Sequence, residues 1–279
     1  MGRRSRSVIQ NRATRRGGVA ARTLRAGHKS DDEIELMREA GRTVALALAA
    51  IRREAAVGSN LLDMDELAEA LIRDRGGEPL FKNYHPRWSP TPFPGTICAS
   101  VNDVVVHGIP NRQPLVEGDL VSIDCGARVE GWCGDAAISF VIGEPEPADL
   151  ELIDTTERAL HAGIAAALPG NTMGDVANAI GTIARGAGYG LLANHGGHGI
   201  GRQMHESPSV PNDGEARTGM RLHPGLVIAL EPMLIAGGED DYVVDPDGWT
   251  IRTSDGSRAA HAEHTVAITA DGPRILTLP

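Results

Sequence analysis

The chain has 279 residues, of which 41% are hydrophobic, 23% charged and only 3% aromatic, and its formal net charge is −10. This composition is typical of a globular protein, and no apolar run reaches the roughly 18 residues that a membrane-spanning helix requires. Three cysteines, Cys98, Cys125 and Cys133, show no CxxC spacing. Their spacing argues against a disulfide framework or a zinc knuckle and favours reduced thiols in a cytoplasmic protein.

The N-terminal segment differs in charge from the rest of the chain. Residues 1–30 contain nine basic and no acidic residues, whereas residues 31–279 contain 18 basic and 37 acidic residues, which gives charges of +9 and −19. We predict a disordered basic arm over residues 1–30 and a single catalytic domain over 31–279. Three interpretations of the arm stay open: a contact with RNA, the ribosome or an acidic surface, an organellar targeting segment, or no role.

A first helix–helix–strand unit is predicted between the arm and residue 142. Ser30 begins a capping box, and apolar residues then recur at helical spacing up to Ile51. A second amphipathic helix ends at Gly76-Gly77, and the four prolines of residues 85–95 predict a stiff loop. Strands follow, separated by turns at 118–119 and 131–134; they are predicted at 96–100, 104–107, 119–125 and 135–142.

The same order of elements starts again at Pro147. A helix is predicted over 148–168, and Thr172 caps a second helix that ends near Gly186. Further strands are predicted at 233–235, 242–244, 249–253 and 262–268.

Two short sequence matches connect these units. Residues 107–109 match 198–200, and residues 118–124 match 225–231, so that Asp124 corresponds to Glu231. We therefore predict an α/β fold with two pseudo-twofold-related helix–helix–strand halves around a central cleft.

One segment combines glycine with histidine at high density. Residues 194–206 contain three histidines and four glycines. Glycine allows the backbone to approach a ligand, and neutral histidine is a common metal ligand. The segment is therefore either a binding site or a glycine-rich turn whose histidines are exposed.

Four acidic residues occur beside apolar strand sequence: Asp124, Asp135, Glu231 and Glu263. A single acid of this kind is usually a salt-bridge partner, because an unpaired buried carboxylate is unfavourable. Four acids and His198 in one cleft would instead require a multivalent cation to offset their repulsion. Carboxylate and imidazole ligands suit Mn, Fe(II), Co or Zn, and four acids can bridge two such ions.

Several short motifs in this chain are those of one peptidase family. They are I-D-C-G at 123–126, G-D at 134–135, G-G-H-G-I-G at 196–201, M-H-E-S-P at 204–208, L-E-P-M at 230–233 and A-E-H-T at 262–265. With these motifs the chain, from about Asp31 to its C-terminus, resembles type I methionine aminopeptidase. The resemblance implies the pita-bread (creatinase/aminopeptidase-like) α/β fold, in agreement with the internal repeat.

The resemblance also implies a site for two divalent metal ions per chain, either Co, Mn, Fe(II) or Zn. Asp124 would bind one ion, and His198 and Glu231 would bind the second. Asp135 and Glu263 would bridge both ions.

The implied reaction is hydrolysis of the N-terminal methionine from peptides and nascent proteins, with small second residues favoured. A hydroxide bridging the two ions would attack the scissile carbonyl, and Glu231 would take a proton from the metal-bound water. His205 would hydrogen-bond the carbonyl oxygen as it becomes tetrahedral, and His107 would contact the substrate backbone. The enzyme would be a cytoplasmic monomer without a membrane partner, and organellar targeting by the arm is a minor alternative.

The chain departs from the family pattern in four places. Loop 85–95 is several residues longer than usual, Met204 stands where many members have an aromatic residue, Cys133 stands where some have histidine, and the basic arm is additional. The first two departures leave open which substrate side chain the methionine pocket prefers.

The sequence allows three alternative functions: a prolidase or aminopeptidase P of the same fold, a type II methionine aminopeptidase, and a non-catalytic relative that binds nucleic acid or the ribosome. The intact set of five ligands favours the catalytic hypothesis over the last of these. Three further histidines, His161, His261 and His264, are predicted to lie at the surface or behind the ligands. For His195 we predict a role in bracing its loop, and His85 either lines the pocket or is solvated.

Overall fold

The computed structural model of the protein describes residues 27–279. The four helices in this part of the chain are Asp31–Glu54 (α1), Leu61–Asp74 (α2), Pro147–Ala166 (α3) and Met173–Gly186 (α4). The strands are Glu78–Pro79 (β1), Ile97–Val101 (β2), Val104–Val106 (β3), Leu120–Val129 (β4), Trp132–Val141 (β5), Gly190–Leu191 (β6), Gly196–Gly199 (β7), Glu206–Pro211 (β8), Val227–Leu230 (β9), Met233–Ile235 (β10), Tyr242–Val244 (β11), Ile251–Thr253 (β12), Ala259–His261 (β13), Glu263–Thr269 (β14) and Gly272–Ile275 (β15).

Two helices, α1 and α4, begin at the capping residues that the sequence predicts. Ser30 and Glu33 form a reciprocal capping box at α1, in which each backbone N–H is bonded by the other residue's side chain. Thr172 and Asp175 form the equivalent box at α4. Such caps satisfy backbone donors that the first helical turn leaves unpaired, and each cap stabilises the protein by about 1 kcal/mol.

A large antiparallel sheet forms the centre of the molecule. Its main path runs β1-β4-β5-β14-β9-β7-β8, with β2 paired to β4 and β15 paired to β14. Two three-stranded sheets, β13-β10-β6 and β11-β12-β3, complete the strand pairing in the described residues. The predicted helix–helix–strand order therefore holds in both halves of the chain.

Each helix pair covers one half of the sheet. In the first half, Leu48 of α1 packs in the same buried cluster as Ile123 of β4. In the second half, Ile180 of α4 packs with Ile228 of β9. Because side chains of a strand alternate between its faces, burial of one face by helices leaves the other face to form the cleft.

The turn between β4 and β5 is shorter than the predicted turn at 131–134. The ladder continues to the pair Val129–Trp132, so only Glu130 and Gly131 form the connection. Both have positive φ, 50° and 78°, as a two-residue type I′ hairpin requires. Asp135 consequently lies in the interior of β5 and not at its start, and its side chain belongs to a fixed ladder.

The last long strand connects the two halves. β14 pairs with β5 of the first half on one side and with β9 of the second half on the other. The Thr265 hydroxyl strengthens the first junction, because it accepts from the Asp135 N–H at 3.0 Å and donates to the Asp135 carbonyl at 2.8 Å. The halves are thereby held in one continuous sheet.

Residues just before α1 pack against the domain. Lys29 is buried, its N–H donates to the Gly225 carbonyl at 2.7 Å, and its ammonium pairs with Glu206 at 2.8 Å. Most of the predicted arm, residues 1–26, lies outside the described residues. Among residues 27–279, none of the helices combines the length and hydrophobicity needed to cross a bilayer.

Candidate metal centre

Five neighbouring strands bring the predicted metal ligands together. Asp124 lies on β4, Asp135 on β5, Glu263 begins β14, Glu231 directly follows β9, and His198 lies on β7. In the sheet these strands are adjacent in the order β4-β5-β14-β9-β7. Residues that are up to 139 positions apart in the sequence, from 124 to 263, thus line one cavity of about 260 Å³.

The strand register explains why three of the acids meet. Asp124 and Glu263 both lie opposite Ala137, one on each side of β5. Asp135 is two residues from Ala137 and therefore points to the same face of the sheet. The small alanine side chain leaves space between the carboxylates.

The carboxylates have the electrostatics of a cation site. One oxygen each of Asp124, Asp135 and Glu263 is buried without a hydrogen-bond partner. Burial and the neighbouring Asp135 raise the pKa of Glu231 to about 8, and burial raises the pKa of Asp135 to about 7. Burial and repulsion from the other acids raise the pKa values of Asp124 and Glu263 well above their ordinary range.

His198 is oriented and neutral. Its Nδ1 lies 3.0 Å from the Gly199 carbonyl oxygen, which leaves Nε2 for the cavity. Nε2 is 3.7 Å from Glu231 Oε1. Burial lowers the pKa of His198 to about 4, so the ring keeps a lone pair at neutral pH, as a metal ligand must.

These residues fit a divalent metal. Ligand atoms of Asp135, His198 and Glu263 all lie within 4.8 Å of one another. The partnerless oxygens would gain ligand bonds, and a cation would offset the carboxylate repulsion that raises the pKa values. Oxygen donors with one imidazole nitrogen suit Mn, Fe(II), Co and Zn.

The two predicted accessory histidines lie at the same cavity. The rings of His205 and His198 are 4.3 Å apart, and His205 Nδ1 is 3.2 Å from the Tyr84 hydroxyl. Burial lowers the pKa of His205, and it lowers that of His107 to about 4. His107 Nδ1 is buried without a partner. Both rings are therefore neutral at pH 7, and His107 has an unused polar atom.

The structure also places His261 beside the acids. Its side chain is buried, and Nε2 lies 3.9 Å from both Glu231 Oε2 and Glu263 Oε2. Of the two predicted locations, surface or behind the ligands, the second is the one observed.

An apolar wall completes the cavity, and sequence reasoning identified only part of it. Trp249 and Phe93 meet edge to face, with ring centroids 5.1 Å apart. The wall is formed by Phe81, Tyr84, Trp88, Phe93, Cys98, Met204 and Trp249. The scarcity of aromatics is a signal that could have revealed this wall, because five of the nine aromatic residues lie in it.

Comparison with known proteins identifies the family. Metallopeptidase family M24 matches residues 35–270. Methionine aminopeptidase 1 of Mycobacterium tuberculosis is 52% identical over 257 residues, which cover 90% of this chain and 94% of that protein. The chain belongs to metallopeptidase family M24, and it is thus an enzyme, a metallopeptidase hydrolase that uses divalent metal.

Comparison with solved structures shows which members of the family this chain resembles in fold and sequence. The crystal structure of methionine aminopeptidase from Thermotoga maritima is 38% identical with a TM-score of 0.85, covering 90% of this chain and 98% of that one. The predicted resemblance to methionine aminopeptidase and the predicted pita-bread fold are confirmed. Prolidase from Pyrococcus furiosus shares the fold alone, at 23% identity and a TM-score of 0.72, and this chain covers 66% of it.

Proposed function

We propose that this chain removes N-terminal methionine from peptides and nascent proteins with two divalent ions. The proposal rests on the convergence of five side chains of metal-ligand type at one cavity with an apolar wall. Asp124 would hold one ion, His198 and Glu231 the other, and Asp135 and Glu263 both. When bound, such ions supply a nucleophilic water near neutral pH and polarise the carbonyl that it attacks.

The side chains around the ions have separate tasks. Glu231 faces the cavity and would accept a proton from the attacking water. The Tyr84 hydroxyl would donate to Nδ1 of His205, which leaves a protonated Nε2 to donate to the scissile carbonyl oxygen. The partnerless His107 Nδ1 would bond the substrate backbone beside the cleaved bond.

The apolar wall supports methionine as the first residue. A thioether gains about 0.3–1.5 kcal/mol from each aromatic contact, in addition to the burial of its methylene groups. Met204, in place of an aromatic residue, would adapt its shape to the substrate side chain, because methionine has three rotatable bonds.

The function is tested by adding defined metals back to chelated protein. With Mn, Fe(II), Co or Zn, we expect cleavage of Met-Ala-Ser and none of an Ala-Pro-Ser peptide, and metal analysis should give two ions per active chain. Preferential cleavage before proline would support the prolidase alternative instead. A single ion at full activity would contradict the two-metal site.

Replacing His205 with Ala should lower kcat on Met-Ala-Ser by about a hundred- to a thousandfold, the usual effect of losing one donor to a developing oxyanion. Metal content should stay unchanged, because His205 is not among the proposed ligands. His85→Ala is the matched control: this exposed histidine bonds the Ser89 carbonyl at 3.2 Å and lies outside the cavity wall. Loss of metal in His205→Ala would make His205 a ligand.

We further propose a cytoplasmic monomer whose basic arm contacts the ribosome. Residues 1–26 contain eight arginines and no acidic residue, a charge that suits a phosphate-rich surface. Deletion of residues 1–26, which keeps the buried Lys29, should abolish salt-sensitive cosedimentation with ribosomes and leave kcat/KM on Met-Ala-Ser unchanged. Equal cosedimentation of both proteins at low salt would contradict this contact.

A further inference from the structure

One aromatic side chain of the cavity wall is mostly exposed. Trp88 is 63% exposed, although its position is fixed by two neighbouring rings. Its ring lies 6.4 Å from that of His107 with an interplanar angle of 26°, and 4.9 Å from that of Trp249 at 66°. A large exposed apolar surface held in place beside a proposed substrate contact is suited to bind a ligand.

The loop that carries Trp88 is fixed by packing and hydrogen bonds. The Ser89 hydroxyl donates to the Thr91 carbonyl at 2.7 Å, and the Trp249 indole N–H donates to the same carbonyl at 3.0 Å. Gly248 permits close contact with Pro90, since a Cβ at Gly248 would lie 2.6 Å from the proline ring. The prolines restrict the backbone further, so Trp88 is presented with little entropy left to lose on binding.

Beyond Trp88 the cavity continues into an apolar groove. This groove, of about 620 Å³, shares Trp88, His107 and Trp249 with the metal cavity. Its outer wall contains Pro90 and Val244, and Val244 is 54% exposed. The metal cavity and the groove therefore adjoin along these three side chains.

A second groove leaves the cavity in another direction and differs in chemistry. It is lined by polar residues that include Ser209, Asn212 and Asp213. Its one arginine, Arg185, is already paired with Asp213 and Asp240. An apolar substrate side chain is better matched by the groove beside Trp88.

Peptide geometry indicates which substrate residue reaches the apolar groove. An extended chain rises about 3.3 Å per residue, and alternate side chains point to the same side. The first and third side chains would thus face the same wall, roughly 7 Å apart. Trp88 and Trp249 line both the metal cavity and the groove, so the groove lies next to the wall proposed for the first side chain.

We propose that Trp88, Pro90 and Val244 form an apolar subsite for the third residue of the substrate. The subsite rests on the proposed function, because it takes the peptide that follows the cleaved methionine. It makes the enzyme selective for peptides with an aliphatic or aromatic third residue.

The test compares Met-Ala-Leu-Ser with Met-Ala-Ser-Ser. For the wild-type enzyme, kcat/KM should be about tenfold higher with leucine, mainly through KM, as expected for partial burial of one aliphatic side chain. In Trp88→Ala this ratio should fall to about one or two. Val243→Ala is the control, because Val243 lies beside Val244 on the same strand with similar exposure but outside the groove, and it should keep the wild-type ratio.

A charged variant gives a change that misfolding cannot produce. Val244→Asp should reverse the preference, so that Met-Ala-Lys-Ser is cleaved faster than Met-Ala-Leu-Ser. An unchanged leucine-to-serine ratio in Trp88→Ala, or no gain for lysine in Val244→Asp, would overturn the subsite and direct the peptide to the polar groove. If the wild-type enzyme cleaves none of these peptides with metal added, the proposed function itself fails.

Discussion

Replacing Asp135 with Asn should remove bound metal and peptidase activity together, and Glu263→Gln should do the same. Each residue lies at the centre of the carboxylate cluster and has a buried oxygen without a protein partner. Loss of about 4 kcal/mol of charge stabilisation by the metal corresponds to a roughly thousandfold decrease in kcat/KM. Metal analysis after dialysis, with kcat/KM on Met-Ala-Ser, measures both effects.

Asp65→Asn provides the matched control for these variants. Asp65 is also buried, but its Oδ1 accepts from the backbone N–H groups of Thr96 and Ile97, at 2.6 and 3.0 Å, away from the cavity. This variant should keep its metal and its kcat, even where its stability falls. Full turnover in Asp135→Asn or Glu263→Gln would show that the metal assignment is wrong.

The metal-free protein should lose stability as the pH rises from 6.5 to 8. The folded-state pKa values of Asp135 and Glu231 are raised, to about 7 and about 8, so the folded state binds more protons than the unfolded state in this window. The free energy of unfolding then falls with pH, by about 1.4 kcal/mol per pH unit for each such group. For these two groups together the expected decrease is roughly 2 to 3 kcal/mol.

Buried histidines set the lower limit of this pH window. Burial lowers the pKa of His107 and His198 to about 4 and that of His261 to about 3. Below pH 6.5 the unfolded state binds more protons at these rings, so their contribution to stability is lost as the pH falls. These rings therefore oppose the carboxylates below pH 6.5, and the decrease expected between pH 6.5 and 8 comes from the carboxylates.

Urea unfolding in a chelator, at pH 6.5, 7, 7.5 and 8, measures this dependence. The slope should be smaller in Glu231→Gln, which has no carboxylate to titrate at that position. Saturating Mn should abolish the decrease, since bound cations keep the carboxylates charged in the folded state. Stability that rises with pH in the chelator would contradict the electrostatic account of the cavity.

The positions of the proposed ligands were predictable because they are charged residues within or beside apolar strand sequence. Asp124 and Glu231 interrupt or follow buried apolar strands, and a carboxylate in such a place requires a reason. Their meeting across the sheet was predictable only from the internal repeat and the family motifs, because strand order is set by pairings distant in sequence. The assigned role of each residue remains a prediction.

The β4–β5 turn, the Tyr84–His205 contact and the position of Trp88 could not be predicted, because they depend on tertiary contacts that do not appear in the periodicity of the sequence. The predicted turn at 131–134 extends beyond the observed turn at Glu130-Gly131 toward the C-terminus. The sequence does not indicate the observed turn, because glutamate rarely adopts the positive φ that Glu130 has here. The pairing of Tyr84 with His205 joins residues 121 positions apart. Trp88 lies in a loop longer than the family pattern, so neither a motif nor a spacing indicated its place beside His107.

The central position of β14 has a consequence for the order in which the metal cavity can form during folding. Glu263 begins this strand, which pairs with β5 of the first half on one side and with β9 of the second half on the other. Of the proposed ligands, the first half by itself carries only Asp124 and Asp135, and Glu263 takes its place beside them only when β14 has joined the sheet. Assembly of the cavity should therefore coincide with the pairing of β14 to both of its neighbours.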